Sequence, residues 1–343
     1  MSSPADPAAG APAAGPIQIP NDYPVELTAP DISRWAEGNA GVPYLWSFEG
    51  SAPGLHAMVT ALVHGNEISG AIALDRLLEA GIRPARGRLT VGFLNVAAYA
   101  RFDPADPNAT RWVDEDMNRL WAAEVLASDR SSVEMDRVRE VQPIVAAADY
   151  LLDIHTMQRP APPVMMAGPL SKGVALSRRI GVPERIVMDQ GHAAGTRMRD
   201  HGAFADPARA NAAALIECGQ HWEAAAADLA CRATARFLAG LGTVEAAALA
   251  PLGGGGPTPA GQELWEVVEA VTIRGASFRF AEAFTGGEVL RAPGSLIGHD
   301  IAEDGTETPV VTPAADVMLV MPSMRLWTGQ TAVRLAIRRE SAG

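Results

Sequence analysis

From about residue 55 to 240, short apolar runs alternate with longer stretches of helical period. Runs at 55–63, 89–96, 150–155, 163–167, 185–188 and 213–217 read as strands, and 68–80, 133–147, 170–180 and 222–241 read as helices. The strand runs are continuously apolar rather than alternating, which is the pattern of strands covered on both faces. Together they predict an α/β fold, a mixed and largely parallel sheet flanked by helices. In such sheets ligands bind beyond the carboxyl ends of the strands.

The pattern changes after Leu252-Gly253-Gly254-Gly255-Gly256-Pro257. Four glycines and a proline hold neither helix nor strand, so this is a linker or long loop. Beyond it, 263–273, 289–291, 295–299, 316–321 and 331–337 are short strand-like runs separated by Gly-Gly, Pro-Gly and Asp-Gly turn signals, which predict a small C-terminal all-β domain. At the other end, residues 1–24 are rich in Ala, Pro and Gly and have little with which to build a core. The expected organisation is a disordered tail at 1–24, a main body at 25–250, a linker at 251–260 and a β domain at 261–343.

Composition narrows the classes. Hydrophobic residues make up 48% of 343, ample for a core, and the net charge of −12 argues against nucleic-acid and polybasic membrane-surface roles. An anionic small molecule stays open, because a few arginines in a cleft can set a local field of opposite sign. The start has neither a basic n-region nor an apolar h-region, and no apolar run approaches the roughly 20 residues that cross a bilayer. The two cysteines, Cys218 and Cys231, stand in no metal or redox spacing and suit a reducing compartment. A cytoplasmic protein with a small-molecule substrate is expected, compatible with a homo-oligomer.

The candidate chemistry falls at expected strand ends. The 55–63 run leads into His64-Gly65-Asn66-Glu67, just before a helix, and the 150–155 run ends on His155. A His and a Glu three residues apart across a Gly-containing turn, with a second His from another strand, make a His₂Glu set that suits one catalytic Zn²⁺ per chain. Glu217, in Leu215-Ile216-Glu217-Cys218, also falls at an expected strand end. A carboxylate there is costly unless paired or functional, and it suits a general acid/base. In Asp116-Met117-Asn118-Arg119, Arg119 and Asn118 suit a substrate carboxylate, and Arg111 suits a developing oxyanion. Asp153, two residues before His155, is expected on the opposite side of its strand, outside the ligand set, with support of a ligand from behind as the other reading. His221 lines the cleft or starts a helix. His192 and His201, with Arg197 and Arg199, lie on a loop that borders the site or is surface. Cys218 reads as a small buried residue. Trp112, Met165 and Met166 suit a less polar substrate or the core.

These motifs, in this order, resemble the succinylglutamate desuccinylase/aspartoacylase family, a branch of the zinc carboxypeptidase-like fold. The resemblance covers about residues 30 to 340. It implies that His64, Glu67 and His155 are zinc ligands, that Glu217 is the general acid/base, and that Arg111 lies near the scissile carbonyl. It also implies that Asn118 and Arg119 bind a substrate carboxylate and that the β domain narrows the cleft. The chain departs at two points. All its tyrosines precede the β domain, whereas some members use a later one. The stretch Asp206-Pro207-Ala208-Arg209 gives no clean match to the arginine that aspartoacylases carry before the catalytic Glu. Both departures bear on whether N-acetylaspartate is the substrate, and leave Arg197, Arg199 and Arg209 as candidates for a second carboxylate.

The expectation is therefore zinc-dependent hydrolysis of the amide bond of a small N-acyl amino acid or related carboxylate-bearing amide. A metallocarboxypeptidase acting on peptides and a non-catalytic metal-binding protein are the alternatives.

Overall fold

The computed structural model describes residues 23–191, 194–253 and 261–340. All but the last two residues of the expected tail, residues 254–260 of the expected linker, and His192 lie outside the described residues.

The main sheet has eleven strands in the order β1-β3-β2-β4-β7-β5-β6-β8-β14-β13-β10. In chain order the strands of the main body, all in this sheet, are β1 (Leu45–Glu49), β2 (Ala52–Ala61), β3 (Arg86–Phe93), β4 (Tyr150–Met157), β5 (Val164–Met166), β6 (Arg185–Met188) and β7 (Ala212–Gln220). The C-terminal strands are β8 (Glu263–Thr272), β10 (Val289–Leu290), β13 (Val317–Val320) and β14 (Thr331–Arg339), which belong to this sheet, and β9 (Ser277–Phe280), β11 (Leu296–Ile301) and β12 (Glu307–Val311), which do not. Pairs β2–β3, β2–β4, β4–β7, β5–β6 and β6–β8 are parallel, whereas β1–β3 and β5–β7 are antiparallel. The sheet is thus mixed and mostly parallel through the main body.

The longer helices are α1 (Ile68–Glu79), α2 (Val133–Ala146), α3 (Ser171–Ile180) and α4 (Ala224–Leu241). Continuous apolar strands are explained by their two covered faces. On β2 the side chains of Ala57, Val59 and Ala61 join the core under α1, α3 and α4, while Met58 joins a second core with Met135, Val138 and Val141 of α2. On β4, Leu152 and Ile154 face the first core and Leu151 the second, as the two-residue period of a strand requires. The face shared with α2 carries the chemistry.

C-terminal strands pair antiparallel with one another, and β8 continues the main sheet by lying parallel to β6. A separate sheet, β12-β11-β9, folds over them, and a further core gathers Val271, Phe278, Ile297, Leu319 and Leu335. Strands β1, β9 and β12 were not expected from the sequence. The first is an edge strand with polar alternation, and β12 is interrupted by Pro309 in ETPVV. Among the described residues no helix is long and apolar enough to cross a membrane.

One buried carboxylate shapes the loop below the strand ends. Glu134, in the first turn of α2 and 0% exposed, accepts from the Asn95 side chain at 2.9 Å. It also accepts from the backbone N–H groups of Val113, Asp114 and Glu115 at 2.7, 3.0 and 3.2 Å. Three consecutive amides are thereby fixed beside the helix N-terminus, where a negative charge is also favoured. Glu134→Ala should leave those donors without a partner and cost about 2–4 kcal/mol, read as a fall in Tm of several degrees. A Tm equal to wild type would show that the loop does not depend on this anchor.

Candidate active site

Strand β2 ends at Ala61, and the chain leaves the sheet through Leu62 in the left-handed region (φ 62°). A non-glycine residue there costs on the order of 1 kcal/mol and re-aims the residues that follow. Gly65 comes next to a tight approach: a Cβ at that position would lie 2.5 Å from the Thr110 carbonyl oxygen and 2.6 Å from the Ala98 Cβ. Only glycine fits between those neighbours. Its N–H donates to the Arg111 carbonyl at 2.9 Å, so the turn that aims His64 and Glu67 also holds the Arg111 segment against them.

His64, Glu67 and His155 converge, with ligand atoms all within 4.8 Å of one another, and are 4%, 2% and 2% exposed. Glu67 lies between the two rings. Its Oε1 is 2.7 Å from His64 Nδ1 and its Oε2 2.9 Å from His155 Nδ1. The far nitrogens are held by two more acids, His64 Nε2 by Asp116 Oδ1 at 2.9 Å and His155 Nε2 by Asp153 Oδ2 at 2.9 Å. Asp153 is thus not on the opposite side of the strand from His155. Residues two apart on a strand share a face, and Leu151, Asp153 and His155 all lie on the α2 side. Thr60, the neighbouring residue of β2, donates its hydroxyl to Asp153 Oδ1 at 2.9 Å.

Burial alone would raise the Glu67 carboxyl, but the flanking His64 and His155 hold it well below the ordinary range. The same contest leaves Asp116 well below its ordinary value, with His64, Arg119 and Arg111 overcoming burial. For His155, burial works against the charged ring, yet Asp153 and Glu67 raise it well above the usual imidazole value.

Glu217 sits within β7, three residues before its end rather than at it, in register with His155 on β4 and Val164 on β5. Among the described residues its buried Oε2 has no hydrogen-bond partner. Burial pushes the carboxyl up to about 8, with Glu67 and Asp153 adding to the rise and His155 and Arg111 opposing it. A proton-carrying acid beside the His–Glu–His cluster is the result.

Arg111 donates from Nη1 to Glu67 Oε1 at 2.9 Å, and its Nη2 lies 3.1 Å from His64 Nε2. Asp116 Oδ1 also accepts the Asn118 N–H at 3.0 Å, which ties the Asp116-Met117-Asn118-Arg119 turn to His64. Asn118 Oδ1 accepts from the Met198 N–H at 2.9 Å, so its amide N–H groups are what it can offer a ligand. Arg119 donates to the Asn118 carbonyl at 2.8 Å and lies 3.7 Å from Asp116 Oδ2. All seven residues picked from the sequence therefore gather around one strand-end region.

Other expectations divide. His221 is buried beneath the site, its Nδ1 2.8 Å from the Thr156 hydroxyl, and burial drives it down to about 3, so it is a neutral ring. His201 is committed to the Trp121 carbonyl at 2.8 Å and to Gln142. Arg197 forks onto Asp189 at 2.6 and 3.0 Å, and Arg199 reaches Asp200 at 2.7 Å and the Ala167 carbonyl at 2.8 Å. Cys218 is a buried thiol that burial raises well above its usual value. Met165 and Met166 are core, while Trp112 is half-buried with the Arg111 guanidinium 5.5 Å from its ring centroid. Asp116 was not recognised from sequence as a partner of His64, although its place in the Asp-Met-Asn-Arg motif was the available signal.

The donor set fits a metal ion. Three buried groups of metal-binding type meet, and each imidazole has its outer nitrogen oriented by a carboxylate, as ligating histidines do. The residues between 53 and 236 match the family model described as "Succinylglutamate desuccinylase/Aspartoacylase catalytic domain". No curated protein matches the chain in sequence. Among solved structures, the chain is similar to a succinylglutamate desuccinylase/aspartoacylase from Rhodobacter sphaeroides at 17% identity and a TM-score of 0.60, over 87% of this chain and 89% of that one. A succinylglutamate desuccinylase from Vibrio cholerae gives 15% identity and 0.60, over 88% of each chain. The ectoine utilization protein EutE (DoeB) from Ruegeria pomeroyi, in a product-bound structure, gives 16% and 0.59, over 85% and 88%. These likenesses establish the shared fold.

If the cluster holds a metal, the purified protein should bind about one Zn²⁺ per chain, and His155→Ala should lose it. A proton favoured on His155 must leave for the metal to enter, so apparent affinity should rise as pH rises through that raised value. Chelator competition at several pH values reads this. Affinity that does not change with pH, or a fully metallated His155→Ala, would remove the assignment.

Proposed function

Because the chain belongs to the succinylglutamate desuccinylase/aspartoacylase family, we propose that it hydrolyses the amide bond of a small N-acyl amino acid or related carboxylate-bearing amide, with one Zn²⁺ held by His64, Glu67 and His155. The observation that carries the reading is Glu217, whose buried Oε2 has no partner among the described residues and which stands in register with His155. When bound, the metal supplies a Lewis acid that polarises the amide carbonyl and acidifies a water.

The chain's own residues supply the rest. With a metal bound, Asp116 and Asp153 would keep the outer imidazole nitrogens protonated and leave both Nδ1 lone pairs to the ion. Glu217 takes a proton from the attacking water and delivers it to the leaving nitrogen, which needs a carboxyl that can both hold and release a proton near neutrality. Its elevated value suits the task, and a nearby dication would draw it lower. Arg111 faces the carbonyl oxygen as negative charge develops. Arg119 and the Asn118 amide take the substrate carboxylate. The products are a carboxylic acid and an amine.

The division into a catalytic body at 25–250 and a β domain at 261–343 that narrows the cleft belongs to the same proposal, supported by the separate C-terminal core. So does a cytoplasmic setting, supported by composition. A small-molecule substrate is in keeping with the product-bound ectoine utilization protein of the same fold.

Glu217→Gln keeps the shape and removes the base. It should retain zinc while kcat falls roughly 10²-fold or more. Near wild-type turnover in that variant would put the proton transfer elsewhere.

Arg119→Ala, with zinc content unchanged, should abolish the preference for a substrate acid over its amide. The comparison is kcat/KM for the acid and the amide on both proteins, and the expected loss for the acid is about 10-fold to 100-fold. A wild type that handles both forms equally well has no carboxylate clamp.

A further inference from the structure

Among the described residues, the Arg325 guanidinium makes no ion pair or hydrogen bond with an acid. Arg325 lies in the connection between β13 and β14, more than a hundred residues from the motifs around the metal cluster. That connection is pinned along its length. Ser323 N–H donates to the Ala332 carbonyl at 2.7 Å, Arg325 N–H to the Ser323 hydroxyl at 2.9 Å, and Gly329 N–H to the Ile273 carbonyl at 2.9 Å. Phe278 N–H on β9 donates to the Leu326 carbonyl at 3.2 Å. The backbone on both sides of Arg325 is therefore fixed by the C-terminal strands.

Its guanidinium lies 4.8 Å from the centroid of the Trp112 ring, and the Arg111 guanidinium lies 5.5 Å from the same ring. Arg325 thus shares the Trp112 ring with Arg111, whose guanidinium touches Glu67 and His64. Burial, and then the charges of Arg111 and Arg119, disfavour its protonated form, and Asp116 and Glu67 only partly offset them, leaving it at about 10. The other arginines proposed for a second carboxylate are differently placed. Arg197 and Arg199 are committed to Asp189 and Asp200, and Arg209 is exposed on a turn. Arg334, also buried, lies 3.8 Å from Asp189. Among the described residues, no carboxylate or carbonyl accepts from the Arg325 guanidinium. A largely desolvated cation set among like charges is costly until an anion reaches it, and its planar fork matches a carboxylate.

We propose that Arg325 is a substrate-binding residue that takes an anionic group of the substrate other than the carboxylate held by Arg119 and Asn118, so that the C-terminal strands supply a specificity determinant of the site. The proposal rests on the hydrolase reading for the word substrate, but the anion site can be read without turnover.

The experiment uses the full-length zinc-loaded protein and calorimetric binding of succinate against butyrate, which share a carboxylate and chain length and differ in the second carboxylate. Wild type should prefer succinate by roughly 10-fold or more, in line with a charge-assisted contact. Arg325→Gln should remove most of that preference while zinc content stays at the wild-type level. Arg325→Lys should recover only part of it, because an ammonium is a point donor. With N-acyl amino acids that differ by one carboxylate, the Gln variant should raise KM for the more anionic member far more than it lowers kcat. Equal binding of succinate and butyrate by wild type overturns the proposal even if no variant folds. An unchanged preference in Arg325→Gln, or full recovery in Arg325→Lys, overturns it as well. A protein that hydrolyses no amide yet shows the Arg325-dependent succinate preference keeps the anion site and loses the hydrolase reading.

Discussion

The site depends on one carboxylate shared between two imidazoles. Glu67 touches Nδ1 of both His64 and His155, and the outer nitrogens of those rings rest on Asp116 and Asp153. Three acids and two bases in a buried line leave few other arrangements, because any group turned away would strand a charge out of water. The line also connects separate parts of the chain: the turn after β2, strand β4, and the Asp-Met-Asn-Arg turn. What fixes the two rings also fixes the arginines beside them. Gly65 presses against Thr110 and binds the Arg111 carbonyl, while Asp116 accepts both from His64 and from the Asn118 backbone.

The sheet makes that line possible at low cost to the core. Its parallel middle strands place β2, β4 and β7 side by side, and Thr60 to Asp153 and His155 to Glu217 are register partners. Each strand alternates between two covered faces, so polar groups can cluster on one face while the other stays apolar. Leu152 and Ile154 pack under α1 and α4, whereas Asp153 and His155 look toward the side of α2. The antiparallel insertion of β5 beside β7 sets Val164 in register with Glu217. Burial of Glu217 within the sheet is what makes it a carboxyl that holds its proton near neutral pH.

Much of this was legible in the sequence, for a physical reason. Strands buried on both faces are continuously apolar, so β2, β3, β4, β6 and β7 stand out, as do α1, α2, α3 and α4 between them. The histidines and Glu67 were conspicuous because polar residues interrupt apolar runs. Asp153 lies on the side of His155 rather than opposite it, as the two-residue period of a strand requires. Short edge strands such as β1 and β9 have one uncovered side and carry no such signal. Glu134 and Arg325 could not be picked out either. The first is one acid among many in an acidic chain, and its role exists only once the loop at 113–115 has folded onto it. The second acquires a meaning only from a tertiary contact across more than two hundred residues.

The charge of the whole and the charge of the site point in opposite directions. A chain of net charge −12 repels anions at long range, yet Arg111, Arg119 and Arg325 face the same small region. Salt screens the first effect within about 10 Å at ordinary ionic strength, while the second acts across a partly desolvated gap where screening is weak. Near the cluster the arginines therefore decide the sign, and the acids there are already neutralised: Glu67 and Asp116 by histidine and arginine, Glu217 by its own proton. Trp112 offers the face of its ring to both Arg111 and Arg325, at 5.5 and 4.8 Å. A wall built this way tolerates three like charges without a protein counterion for each, and leaves the remaining attraction for whatever anion enters.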